Sequence, residues 1–290
     1  MRSNKKTAII IIIIASALIL SLILGVVVYF NQHNIFVFAQ NHKIGKDASC
    51  LEVTDVQTEK ITLSEAQTDS RFCIDQSLVL INTTYLAPKD YPWQISEYKS
   101  TTVYMNDCMK DAYAALSSAV TERTDRKLYV SSDVRDREEQ QALYLEDPHT
   151  ATLPGASEHE TGLCVDVYVA KYAGDAFLKS ESGRFVNAHA HEYGFIIRYP
   201  SYGEDSTGVR FEPWHIRYVG FPHAEYIYNN NLTLEEYILS LEADVFYRYG
   251  DYIISRQSAS DGELNVPTDA KSVTVSPDNT GYYIVTSKMI

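Results

Sequence analysis

The chain has 290 residues, 45% of them hydrophobic, and a formal net charge of -13. That length suits one large domain, or one domain with additions, and leaves ample apolar material for a core. The acidic balance offers no basic footprint and argues against nucleic acid as a partner, while four cysteines without CxxC spacing give no support to a cysteine-based zinc site.

Arg2, Lys5 and Lys6 precede an uncharged run from Ala8 to Phe30. A bilayer-spanning helix takes about 20 apolar residues, and this run supplies them. The positive residues flank its N-terminal side and the next lysine is Lys43. The positive-inside rule therefore predicts a single-pass anchor over residues 1–30, with a cytoplasmic tip and the rest of the chain outside. A cleaved signal peptide ending near Val37–Ala39 is the competing reading, but the apolar run exceeds the roughly 7–15 residues of a signal core. Either way the bulk of the chain reaches a compartment that permits disulfides.

Residues 31–76 are polar and mixed, without a clear period, and read as a stalk. Residues 77–244 read as the main domain. It begins with a strand-like run, Leu78–Ile81, after which Pro88 and Pro92 enforce an extended, turning path. Tyr104, Cys108, Ala115, Leu116 and Ala119 predict one stripe of a helix from about Glu97 to Thr121. KLYVSSDVR reads as a short strand and loop, and DREEQQALYLE as a charged helix. After the Pro- and Gly-containing loop LPGASEHETG, the alternation of Leu163, Val165, Val167 and Val169 predicts a strand. SGRFVNAHAHEYG reads as a helix stopped by Gly194, and FIIRYP and VRFEPWHIRYV as strands joined through SYGEDSTG. Thr233 and Glu236 form a capping box for a last helix. Residues 245–290 are β-rich, with turns at Asp261-Gly262 and Asn279–Gly281, and read as an extension that packs on the main domain or a partner.

The predicted strand carries Asp166 on the face opposite its valines, and His159 lies just ahead of it in the spacing HxxxxxxD. His215 comes later, three residues after Glu212 in EPWH. Two imidazoles and one carboxylate suit a catalytic zinc, which takes three protein ligands and keeps a fourth position for water. Glu212 is then a candidate base, although on a regular strand it faces away from His215 unless Pro213 bends the backbone. Taken singly, each residue has a plain structural reading: a loop cap, a polar strand residue, a paired histidine. His189 and His191 are two apart on a helix and cannot face the same way, and nothing requires His149 at a site.

SEHETGLCVD resembles the SxHxxGxAxD motif, and EPWHIRYVG the ExWH motif, of the VanY-type zinc D-alanyl-D-alanine carboxypeptidases. LVLINTTYLAPKDY resembles the family's N-terminal segment and YGFIIRYP its stretch before the second motif, so the likeness covers about Leu78 to Glu242. The resemblance implies an α+β fold, with a small antiparallel sheet carrying the site and helices packed on one side. It implies one Zn2+ per chain held by His159, Asp166 and His215, and Glu212 as general base. SSDVRDREEQ supplies Arg135 for the scissile carbonyl and its oxyanion. Gln140 and Ser157 are candidates for holding the substrate's terminal carboxylate, against the plain readings of a solvated helix face and a loop cap. The implied function is a bacterial, membrane-anchored D,D-carboxypeptidase trimming D-alanine from peptidoglycan stem peptides or precursors. The alternatives are an L,D-carboxypeptidase on tetrapeptide stems, whose motifs are shared, and a zinc-holding wall-peptide binding module without turnover. The chain departs from the family where Cys164 replaces a small residue and where SDVRD replaces SGYRS. Of three possible cysteine pairings, the expected helix stripe over the sheet favours Cys108–Cys164 with Cys50–Cys73. The other reading makes Cys164 a small buried stand-in for Ala.

Overall fold

The computed structural model describes residues 2–42, 50–148, 151–259 and 262–290. His149 and Asp261 lie outside the described residues. The chain divides into two compact units, Met1–Ile44 and Gly45–Ile290. In the first, α1 (Arg2–Phe30) is followed by α2 (Gln32–Asn41). Its segment Ile9–Phe30 is long and apolar enough to cross a membrane, and a helix apolar all round has no water-facing side.

The second unit opens with β1 (Glu52–Val53), β2 (Thr58–Thr62), α3 (Leu63–Ala66) and β3 (Phe72–Ile74). These residues were expected in a stalk; instead they are folded into the β-rich C-terminal part. Their strands are too short to display an alternation, and their partners lie far along the chain. The helix expected from about Glu97 also begins later. The hairpin β4 (Ile95–Glu97) and β5 (Tyr104–Asn106) comes first, turning through left-handed Lys99 and Ser100, and α4 spans Lys110–Thr124. It buries Tyr113, Leu116 and Val120, of which only Leu116 belongs to the expected stripe; Tyr104 is exposed.

Next come β6 (Tyr129–Ser132), α5 (Arg137–Glu146), β7 (Cys164–Tyr168), α6 (Glu181–His189), β8 (Phe195–Ile197), α7 (Glu204–Thr207) and β9 (His215–Tyr218). Asp136 caps α5 in a capping box with Glu139, which satisfies amides that the first turn leaves free. Leu78–Ile81 is buried but is not a strand; Arg217 Nη2 donates to the Ser77 and Val79 carbonyls at 2.8 Å each. The side chain thus replaces a neighbouring strand.

The four strands pair antiparallel in the order β6-β7-β9-β8. Alternation divides the sheet's faces. Val165, Val167 and Ile216 pack with Leu116 and Val120 of α4 and Val186 of α6, each buried aliphatic contributing about 1.5–3 kcal/mol. Cys164, Asp166, His215 and Arg217 occupy the other face. This is the expected α+β arrangement, with helices on one side of a small sheet.

Helices α8 (His223–Asn230) and α9 (Leu234–Ser240) follow, α9 capped by the Thr233–Glu236 box. The β-rich end contributes β10 (Phe246–Tyr249), β11 (Tyr252–Gln257), β12 (Glu263–Pro267), β13 (Ala270–Pro277) and β14 (Tyr283–Met289). They form a six-stranded sheet β1-β10-β11-β14-β13-β3 and a two-stranded sheet β12-β2. Ile254 and Ile284 of the larger sheet share a core with Tyr237 and Ile238 of α9 and with Leu78 and Leu80. The extension therefore packs on the main domain.

Among the described residues no cysteine forms a disulfide, which corrects the expected Cys108–Cys164 and Cys50–Cys73 bridges. The reason is the division of the sheet: α4, just after Cys108, covers the valine face, whereas Cys164 points to the other.

Candidate metal centre

Register brings the first pair together. Asp166 of β7 stands directly opposite His215 of β9, and opposed side chains on antiparallel strands are close neighbours. Asp166 Oδ1 lies 3.0 Å from His215 Nδ1, and its Oδ2 lies 3.6 Å from His159 Nε2. His159 sits in a 3-10 turn (Glu158–Thr161) ending at left-handed Gly162. Its Nδ1 donates to the Asp133 carbonyl at 2.5 Å, which leaves Nε2 as a lone-pair donor toward Asp166.

The arrangement fits a cation. Asp166 Oδ1 is buried beside an imidazole nitrogen yet makes no hydrogen bond among the described residues. Burial works against ionised Asp166, but His215, His159 and Arg135 outweigh it and lower its pKa. Burial also disfavours a charged His215, yet Cys164, Asp166 and Glu158 raise its pKa well above the ordinary value. This pocket favours positive charge where the donors converge. Donor atoms of His159, Cys164 and His215 also lie within 4.8 Å of one another. Burial would raise the Cys164 thiol, but the two histidines draw its pKa down to about 7. The sulfur therefore borders the centre, a closeness that its simple role as a small residue did not anticipate.

Glu212 lies in a turn, not on the strand, because the His215 amide donates to its carbonyl at 3.2 Å. That bend, through Pro213, brings Glu212 Oε2 to 3.9 Å from His215 Nδ1. Burial raises the Glu212 carboxyl pKa above the ordinary value.

A cavity of about 120 Å³ is lined by His159, Asp166, His215, Glu212, Arg135, Gln140 and Ser157, together with Tyr199 and Trp214. It brings together every residue singled out in the sequence for metal, base or substrate. Arg135 Nε is buried there without a partner among the described residues. Gln140 differs from expectation in one respect. Its Nε2 already donates to Thr152, at 2.8 Å to the carbonyl, and the unpartnered atom is Oε1. An acceptor cannot hold a carboxylate.

Sequence reasoning passed over Tyr199, whose ring centroid lies 4.9 Å from that of His215, and Trp214, stacked under Arg210. It also passed over Glu158 and its buried partners Arg198 and Arg217. The signal was present in FIIRYP and HIRYV, where an arginine interrupts each apolar strand.

A larger cleft of about 470 Å³ shares Thr152, Tyr199, Val209 and Glu212 with this cavity and extends to Asn82, Tyr144 and Arg210.

Residues 102–221 match the VanY family of D-alanyl-D-alanine carboxypeptidases. A D-alanyl-D-alanine carboxypeptidase of Enterococcus faecium is 30% identical over 197 residues, 64% of this chain and 63% of that relative. The match thus spans less than two thirds of the relative's length. The vancomycin resistance D,D-dipeptidase VanXYg, solved with a D-Ala-D-Ala phosphinate analog, shares the fold with a TM-score of 0.64 at 24% identity, over 81% of this chain and 100% of that one. The LdcB LD-carboxypeptidase gives a TM-score of 0.52 at 28% identity, over 68% of this chain and 98% of that one. With the motifs, the sheet and the clustered donors in agreement, residues 102–221 form a domain of the VanY D-alanyl-D-alanine carboxypeptidase family.

Proposed function

We propose that this chain is a membrane-anchored, extracellular zinc D,D-carboxypeptidase that removes the C-terminal D-alanine from peptidoglycan stem peptides or their precursors. The observation that carries this reading is the convergence of two imidazoles, Asp166, Glu212 and Arg135 on one small cavity. His159, Asp166 and His215 would hold one zinc ion. Zinc in this position supplies Lewis-acid polarisation of the scissile carbonyl and acidifies water.

The remaining steps belong to side chains. Glu212, kept basic by burial, takes the proton of the attacking water and passes it to the departing D-alanine amine. Arg135, with its unpartnered Nε, donates to the oxyanion that develops on the carbonyl. Ser157 donates to the terminal carboxylate, and Gln140 Oε1 accepts a peptide N–H. The larger cleft receives the rest of the stem peptide.

The Enterococcus faecium relative supports D,D specificity. The likeness to LdcB favours the second reading, an L,D-carboxypeptidase on tetrapeptide stems. Glu212 argues against a binding module, which needs no base beside the metal. Product analysis on penta- and tetrapeptide stems, with and without chelator, separates the three. Release of D-alanine from the pentapeptide, abolished by chelator, is expected. Cleavage of the tetrapeptide alone would favour the second reading, and zinc binding without turnover the third.

The α1 segment supports the anchor. Protease added to intact cells should remove the domain and leave a membrane stub, whereas a mature chain starting near Gln40 in the medium would indicate cleavage.

A further inference from the structure

We propose that Glu158 is a positioning residue whose free carboxylate oxygen receives the Nε2–H of His215 and so fixes which nitrogen of that ring faces the metal pocket. The inference rests on the zinc reading above and adds to it a residue outside the ligand set.

Glu158 is 1% exposed. Two buried arginines converge on it, and both use the same oxygen: Arg198 Nε lies 2.7 Å and Arg217 Nη1 2.5 Å from Oε1. Their other donors are spent elsewhere. Arg198 forks onto Glu235 at 2.7 and 2.6 Å. Arg217 Nη2 serves the Ser77 and Val79 carbonyls, and its Nε serves that of Tyr218 at 2.9 Å. Two arginines and two glutamates balance in charge. An arginine that only needed neutralising would take both carboxylate oxygens in a fork, as Arg198 does with Glu235. At Glu158 one oxygen is left over.

That oxygen, Oε2, lies 3.8 Å from His215 Nε2. Both atoms are buried, and neither has a hydrogen-bond partner among the described residues. Such a pair is costly unless the atoms serve one another. Closing the gap by about 1 Å makes a normal hydrogen bond. A neutral imidazole donates from only one nitrogen. A proton held on Nε2 by Glu158 leaves the Nδ1 lone pair directed at the Asp166 side, where Asp166 Oδ1 is 3.0 Å away. His159 is the mirror case: its Nδ1–H goes to the Asp133 carbonyl and frees Nε2. The two rings therefore present opposite nitrogens, each fixed by a partner behind it. For His215 that partner is an anion, which makes the imidazole a stronger donor to a metal.

The test uses the full chain in detergent, loaded with zinc and labelled with 15N-histidine. Long-range proton–nitrogen spectra should show His215 protonated on Nε2, with that proton in a strong hydrogen bond. Glu158→Gln should weaken zinc about 10–100-fold in chelator competition and shift the Nε2–H resonance. A proton on Nδ1 of His215, or a folded Glu158→Gln chain with unchanged zinc affinity, overturns the proposal. If the variant does not fold, the wild-type spectrum decides alone. A chain that takes up no zinc sinks both readings. One that binds zinc with the expected His215 tautomer but hydrolyses no stem peptide sinks only the enzymatic one.

Discussion

His223, the first residue of α8, is buried between the main domain and the C-terminal sheet. Its Nδ1 lies 2.6 Å from the Tyr237 hydroxyl on α9, and its Nε2 lies 2.9 Å from the Thr286 hydroxyl on β14. Neither neighbour is charged, and burial alone pushes the pKa of the ring down to about 3. In the unfolded chain a histidine titrates near 6.5, about 3.5 units higher. As pH falls below the unfolded value, the unfolded state gains a proton that the folded state refuses. Stability is therefore full above about pH 6.5 and falls by about 1.4 kcal/mol per unit until the folded pKa is reached. Between about pH 7 and pH 4.5 this single residue withdraws about 2.5 kcal/mol. His223→Gln loses a bond to Tyr237 or Thr286 at either pH, but it removes the proton linkage. Denaturant unfolding of both chains should show the wild-type advantage shrinking by that amount toward acid. An advantage of equal size at the two pH values would refute the reasoning and mean that His223 holds no depressed pKa.

Glu212→Gln should retain stoichiometric zinc while hydrolysis falls by about 10²–10⁴-fold; metal analysis beside turnover checks this, and loss of zinc would instead make Glu212 a ligand. Asn279→Gly keeps a residue suited to the left-handed φ of 62° there but removes two 3.0 Å bonds, to the Leu80 and Leu86 carbonyls. Its denaturant midpoint should drop by the equivalent of about 1–3 kcal/mol, and an unchanged midpoint would show that these bonds do not hold the extension in place. Non-reducing peptide mapping should recover Cys164 as a thiol that resists alkylation until the chain unfolds, since it is fully buried and unbridged; a Cys164 disulfide would contradict the sheet arrangement.

The candidate donors were legible through the motifs SEHETGLCVD and EPWH. Taken singly, a histidine before a glycine turn and an aspartate on the polar face of a valine strand each have a plain structural reading. Helix starts at Asp136 and Thr233 were legible because a cap acts within four residues. What could not be read is what distance conceals. Arg198 and Arg217 look like surface arginines until the fold places Glu158 between them. Cys108 and Cys164 looked pairable because the face of the sheet that α4 covers emerges only when β7 is set against β9. Glu52, Thr58 and Phe72 gave no strand signal because their register is set by partners roughly 200 residues away, as with Lys60 and Glu263, separated by 203.

That separation also dictates the order in which the molecule can assemble. Strands β1, β2 and β3 are among the first parts of the second unit to leave the ribosome, and their partners follow roughly 200 residues later. Closing such long loops is slow, and until β10, β12 and β13 are made, β1, β2 and β3 have unpaired backbone. A truncation that spared every residue of the candidate metal centre but removed β13 and β14 would leave β3 without its neighbour, β11 paired on one side only and Leu80 without its Asp278 contact. The second unit is thus suited to folding only once these late strands have been made, and a chain that stops short of them exposes unpaired strand edges.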